Sequence, residues 1–152
     1  VNWVRPGIML YGSSPFAKGD AKRDGLQAVM SLVTPLIAVH TIPKGESIGY
    51  GASWTCPEDT RTGVVAIGYA DGYPRHASTG TPVWINGKLT RILGRVSMDM
   101  IVIDLTAIEA RVGVQVELWG KNLSVDRVAQ AAGTISYELL CNAGNLCKHE
   151  YI

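Results

Sequence analysis

The stretch PVWINGKLTRIL, residues 82–93, decides the fold class. Two runs rich in β-branched and aromatic residues flank Asn86-Gly87. The favoured two-residue hairpin turn needs positive φ at both central positions. Asn tolerates that conformation and Gly takes it freely, so the pair predicts a tight antiparallel hairpin. Upstream, SLVTPLIAVHTI (31–42) predicts a strand, with Pro35 marking an edge or a bulge because it offers no N–H to a ladder. GVVAIGY (63–69) predicts another, and VSMDMIVIDL (96–105) and VQVELWG (114–120) two more. VNWVRPGIMLY (1–11) opens as a strand-like run that passes into Pro6-Gly7, and residues 12–30 are mixed, as in a loop. Helical periodicity comes late. SVDRVAQAAG (124–133) starts at a capping Ser124 and stops at Gly133, and a second short helix is expected over Ser136 to Asn142. Many short strands with little helix predict a mainly β chain, an antiparallel barrel or sandwich with one or two short helices near the C-terminus, and of the two a Greek-key-like barrel is the expectation.

The totals fit this reading. The chain has 152 residues, enough for one domain with its own core. Hydrophobic residues make up 47% and charged residues 18%, ordinary for a globular protein. Fourteen basic against thirteen acidic residues leave +1, which gives no field to draw in nucleic acid or an anionic membrane. Three cysteines, Cys56, Cys141 and Cys147, are too few and too odd for a disulfide framework, and a reducing cytoplasm is the expected setting. No apolar run approaches the roughly 18–20 residues that span a bilayer. The chain opens on Val1 rather than Met, and it is read as a piece of a longer protein.

Several chemistries lack their motifs. No phosphate-cradling G-x-x-x-x-G-K-[ST], no G-x-G-x-x-G and no G-x-S-x-G occurs. His40, His76 and His149 do not pair at metal-ligand spacing, and Cys141, Cys147 and His149 read as a surface tail, so no metal is expected. What remains is a set of polar residues among glycines. Tyr50 lies in IGYGASW, Tyr69, Asp71 and Arg75 in IGYADGYPR, Arg95, Met98 and Asp99 in LGRVSMDM, Tyr137 in TISYE, and Arg5 in VRPGIMLYG. Glycine beside tyrosine lets the backbone turn sharply and a ligand come close. Taken singly, each residue has a packing explanation, and Asp71 reads as a turn former.

Together, and in this order, these segments resemble alanine racemase, a fold-type III pyridoxal-phosphate enzyme, from Val1 to about Cys141. The family joins an N-terminal (β/α)8 barrel to a C-terminal β domain. The resemblance therefore implies that residues 1–11 end the barrel and its linker, and that 12–152 form the β domain. It implies pyridoxal 5'-phosphate as cofactor, carried on a lysine of the absent barrel, and a head-to-tail homodimer whose sites borrow residues from the partner. The isolated fragment is expected to be inactive. The closing NAGNLCKHEYI departs from the family's usual basic, proline-containing ending, which leaves the last strand unaccounted for.

Racemisation of alanine removes the α-proton from one face and returns it to the other, which asks for two bases. The resemblance assigns one face to the lysine and the other to Tyr50, acting in the partner's site. A phenol with an ordinary pKa of about 10 needs positive charge nearby for that work. Arg5 resembles the arginine that faces the pyridine nitrogen; being permanently charged, it would leave that nitrogen unprotonated. Gly7 and Ile8 resemble the backbone donors to the cofactor phosphate, and Tyr137 a hydroxyl reaching the same group. Met98 and Asp99 resemble residues near the substrate carboxylate. Tyr69, Arg75, Arg95 and Ile135 resemble the lining of the access corridor, where arginines would steer an anionic substrate. Two other readings stay open. A fold-type III decarboxylase domain would carry a reactive Cys-Asp pair, which this sequence lacks. A non-catalytic β-barrel interaction module would carry no tyrosine pocket.

Overall fold

A computed structural model describes residues 2–16, 21–143 and 148–151. Cys147 lies outside them. The strands are β1 (Leu32–Ile42), β2 (Ser47–Ile48), β3 (Trp54–Thr55), β4 (Thr60–Val65), β5 (Pro82–Ile85), β6 (Lys88–Leu93), β7 (Ile101–Asp104) and β8 (Gln115–Trp119). Two helices follow, α1 (Val125–Ala132) and α2 (Ser136–Asn142), and three 3₁₀ turns cover Gly7–Tyr11, Tyr50–Ala52 and Tyr69–Asp71.

Six strands close into a barrel in the order β1-β4-β7-β6-β5-β8, all pairs antiparallel. β4 lies beside β7, the third strand after it, which is the Greek-key arrangement. Closure removes the exposed sheet edges that invite aggregation. Asn86 and Gly87 turn between β5 and β6 at φ 49° and 77°, the doubly positive geometry expected of that pair. Pro35 marks a bulge rather than an edge. Around it β1 changes partner, from β8 at Leu32–Pro35 to β4 at Leu36–Ile42, with register shifts on both sides. The missing amide falls at the switch, where Leu36 N–H donates to Val114 and the Pro35 carbonyl accepts from Ala66.

Alternate residues of each strand fill the interior. Leu36, Val65, Val83, Ile85, Ile92, Ile101, Ile103, Val116 and Leu118 are all buried. The helix α1 covers β5 and β8 with Val125, Val128, Ala129 and Ala132, the spacing of one helical face. Ser124 caps it by accepting the Asp126 N–H, and Gly133 ends it at φ 71°.

Three strand expectations need correction. Residues 2–6 form no strand, because Pro6 lacks a ladder donor and Gly7, at φ 60°, turns the chain into a 3₁₀ turn. The strand expected at 63–69 is shifted to 60–65. Beyond it Asp71 accepts the Gly68 N–H and winds the chain into the Tyr69–Asp71 turn. Of 96–105, only 101–104 pairs. The Ser97 and Met98 carbonyls accept from Tyr69 and Ala70, so they serve another loop instead of a ladder. The barrel closes through β1 and β8, and among the described residues it needs no strand after α2. No helix of the described residues is long and apolar enough to cross a membrane.

Candidate active site

Tyr50 stands at the tip of a small hairpin outside the barrel, formed by β2 and β3. The hairpin stem is anchored by Ile48 and Cys56 against Leu93, with Trp54 and Val102 packed alongside. At the tip, Gly49 and Gly51 take φ 81° and 69°, and Ala52 is also left-handed at 50°. Positive φ is a conformation that glycine takes freely and other residues adopt at a cost, and the two glycines flank the tyrosine. Tyr50 is 72% exposed.

The tip leans on the Gly94–Met100 loop. A Cβ on Gly49 would lie 3.0 Å from the Arg95 nitrogen, and one on Gly51 would lie 3.9 Å from the Arg95 guanidinium. Arg95 thus brings its charge to the turn that carries Tyr50. Met98 and Asp99, farther along the same loop, are exposed. The Met98 carbonyl is held by Ala70 N–H at 3.0 Å, and Ser97 is held by Tyr69 at the same distance. Gly68 makes this docking possible, since a Cβ there would meet the Met98 carbonyl oxygen at 2.1 Å.

The Tyr69 loop faces α2 across an open cleft of about 370 Å³ lined by Tyr69, Arg75, His76, Glu138 and Asn142. The Arg75 guanidinium sits over the Tyr69 ring, 5.9 Å from its centroid, a cation–π contact. His76 and Glu138 approach to 4.0 Å. Ile135, the residue before α2, is exposed at the same end of the helix as Tyr137. Tyr73 forms the floor of the cleft; burial pushes its phenol well above the usual tyrosine range, so it stays neutral and is no candidate base.

Tyr137 points toward the N-terminal turn. A Cβ on Gly7 would lie 3.8 Å from the Tyr137 hydroxyl. Gly7 and Ile8 are the first residues of that 3₁₀ turn, so their N–H groups precede its own hydrogen bonds. Arg5 is exposed just before them. The structure thus brings Gly7 and Tyr137 together, sets Arg95 against the turn that carries Tyr50, and docks Met98 on the Tyr69 loop. His76, Glu138 and Asn142 were not anticipated from the sequence. Their only local signal is that His76 adjoins Arg75 and Glu138 adjoins Tyr137.

Comparison with known proteins decides the family. The family described as "Alanine racemase, C-terminal domain" matches residues 29–151. This chain belongs to the alanine racemase C-terminal domain family. The match reaches past Cys141, beyond the stretch where the quoted motifs end. The alanine racemase of Marinobacter nauticus is 61% identical over 139 residues, covering 91% of this chain and 39% of that protein. The alanine racemase of Nitrosococcus oceani is 59% identical over 141 residues, covering 92% and 40%. The crystal structure of a biosynthetic alanine racemase from Pseudomonas aeruginosa superposes with a TM-score of 0.92 at 53% identity, covering 95% of this chain and 40% of that one. The chain therefore spans about two fifths of the length of these alanine racemases.

Proposed function

We propose that this chain is the C-terminal part of a pyridoxal-phosphate-dependent alanine racemase that interconverts L- and D-alanine, with Tyr50 as the base on one face of the α-carbon. The observation that carries the reading is the Tyr50 tip: an exposed phenol flanked by two glycines at positive φ, buttressed by a loop that brings an arginine to the turn. The docking of the turn on Gly94 and Arg95 fixes the backbone that carries Tyr50, and proton transfer requires a positioned base.

The cofactor fits the residues present. Gly7 sits at positive φ, and a Cβ there would stand in van der Waals contact with the Tyr137 hydroxyl at 3.8 Å, so the glycine leaves its backbone and that hydroxyl free to face one ligand. The Gly7 and Ile8 amides and the Tyr137 hydroxyl would hold the phosphate, and Arg5 would face the ring nitrogen as a permanent donor. When bound, the ring system supplies an electron sink for charge developing at the α-carbon. Against that charge Tyr50 exchanges a proton on its face. The backbone at Met98 and the side chain of Asp99 border the carboxylate. Tyr69, Arg75, Arg95 and Ile135 line the way in, where the guanidinium groups favour an amino acid's carboxylate.

Residues 1–11 fit the tail of a preceding barrel domain. Trp3, Val4, Leu10, Tyr11 and Phe16 are exposed apolar side chains that such a domain would cover. The partner that shares the site would be a second copy, and the setting a bacterial cytoplasm, with the D-alanine going to wall synthesis or the enzyme serving D-alanine breakdown. The decarboxylase reading has no Cys-Asp pair to support it.

The test uses the full-length enzyme. Tyr50→Phe should lower kcat by roughly 10²–10⁴-fold while the bound cofactor keeps its absorbance spectrum. Loss of less than about threefold in both directions would rule out Tyr50 as a base.

A further inference from the structure

We propose that Asp126 is a positioning residue for the cofactor phosphate, because its carboxylate ties the Gly7–Tyr11 turn to α2. The inference rests on the reading that Gly7, Ile8 and Tyr137 hold that phosphate.

Asp126 occupies the first turn of α1 and carries no chemistry of its own in the scheme above. Its Oδ1 accepts two short hydrogen bonds, from the Ser13 hydroxyl at 2.5 Å and from the Ser136 hydroxyl at 2.5 Å. Its Oδ2 accepts the Ser14 N–H at 3.4 Å and the Ser124 hydroxyl at 3.3 Å. Ser13 is 1% exposed and Ser136 is 9% exposed, so neither hydroxyl can readily trade this acceptor for water. Ser13 follows Gly12, which caps the Gly7–Tyr11 turn, and Ser136 directly precedes Tyr137. One oxygen atom therefore fixes both halves of the cradle: the strand of backbone that presents Gly7 and Ile8, and the helix end that presents Tyr137.

Two segments far apart in sequence meet here, with the Tyr137 hydroxyl 3.8 Å from where a Gly7 Cβ would stand. A phosphate clasped from both sides demands that the two donors keep their spacing, since hydrogen bonds weaken steeply with misalignment. Charge-assisted bonds to a carboxylate are the stiffest available link of this size. A neutral Asn at 126 keeps one acceptor oxygen but loses the charge and the Oδ2 acceptor.

The experiment uses the full-length enzyme, stripped of cofactor and titrated with pyridoxal 5'-phosphate and, separately, with pyridoxal, which lacks the phosphate. Bound phosphate is followed by its phosphorus-31 resonance. Asp126→Ala should weaken pyridoxal phosphate about 10- to 100-fold, the range seen when outer partners of metal ligands are removed. Asp126→Asn should weaken it less, and the phosphorus resonance should move in both. Affinity for pyridoxal should stay within about twofold. Equal weakening of both ligands would overturn the proposal, because it would mark a general loss of structure. So would unchanged phosphate affinity in Asp126→Ala alongside weakened affinity in Tyr137→Phe, which leaves the cradle itself standing. If Tyr137→Phe has no effect, the cradle reading fails and the proposal fails with it. Should Asp126→Ala not fold, Ser136→Ala and Asp126→Asn decide the matter by the same pair of titrations.

Discussion

Replacing Gly68 with alanine isolates the docking that places the Met98 loop. Gly68 has φ −146°, ordinary extended backbone, so an added Cβ carries no conformational penalty there. The penalty is contact. That Cβ would meet the Met98 carbonyl oxygen at 2.1 Å, the Met98 carbonyl carbon at 2.3 Å and the Ser97 oxygen at 2.4 Å. All three are backbone atoms and cannot rotate away. Ordinary separation is about 3.5 Å, so the loop must retreat by more than ~1 Å. Retreat stretches two hydrogen bonds, Tyr69 N–H to Ser97 and Ala70 N–H to Met98, each 3.0 Å long. Overpacking of this kind costs about 1–3 kcal/mol, and each weakened bond adds up to ~1 kcal/mol. The expected loss is about 2–4 kcal/mol, roughly 5–15 °C of thermal midpoint at this size. Gly87→Ala is the control. Gly87 has φ +77° and nothing within 4 Å of an added Cβ, so its loss is strain alone, about 1–2 kcal/mol. Thermal and urea unfolding of both variants beside the parent protein give the comparison. The reasoning is refuted if Gly68→Ala melts no lower than Gly87→Ala.

Two further perturbations probe the frame around the site. Ser124→Ala removes the cap that accepts the Asp126 N–H at 3.2 Å, and it should cost about 1 kcal/mol in urea unfolding, whereas Ser124→Gly should cost only a few tenths. A loss below about 0.3 kcal/mol in Ser124→Ala would mean that the hydroxyl does not act as a cap. Asp104→Asn tests a charge. Burial raises the Asp104 carboxyl, but hydrogen bonds from Thr106 and Arg91 and the charge of Arg91 at 3.3 Å outweigh it and hold its pKa below the usual range. A lowered folded-state pKa stabilises the fold above the unfolded value of about 3.9 and loses that contribution as pH falls through the folded one. With Arg91 half exposed, the loss in Asp104→Asn at pH 7 should be at most about 1 kcal/mol. It should shrink as pH falls below about 4. Urea midpoints at neutral and at acid pH decide it, and a gap that widens in acid contradicts the assignment.

What the sequence disclosed follows from how local each cause is. Asn86-Gly87 needed only its own two φ angles, and Ser124 and Gly133 only their own helix, so the hairpin and α1 were legible with their limits. VSMDMIVIDL alternates apolar and polar residues up to Met100 and then runs apolar to Ile103, and both halves are compatible with a strand, so the pattern does not say that pairing begins only at Ile101. The reason lies some thirty residues upstream, where Tyr69 and Ala70 take the carbonyls that a ladder would have used. Such long-range competition leaves no trace in period or propensity. An antiparallel barrel or sandwich, in contrast, is what many short strands with frequent turn signals predict, and the Greek-key order of the strands is seen only in the structure.

The candidate site divides along the same line. Tyr50 and Gly7 stand out because the ordered segments that hold them, IGYGASW and VRPGIMLYG, together resemble alanine racemase. Asp126 does not stand out. An aspartate two residues after a helix-capping serine already has a sufficient local explanation, since negative charge there favours the helix dipole. Its second set of bonds, to Ser13 and Ser136, comes from segments at opposite ends of the chain. A residue fully accounted for by its neighbours is therefore where sequence reasoning stops too early. The buried serines show it: Ser13 and Ser136 read as loop and helix-start residues, yet each is sealed from water and must have a partner. Searching for small buried hydroxyls with no local acceptor is the way from the sequence-visible residues to the carboxylate that holds them in place.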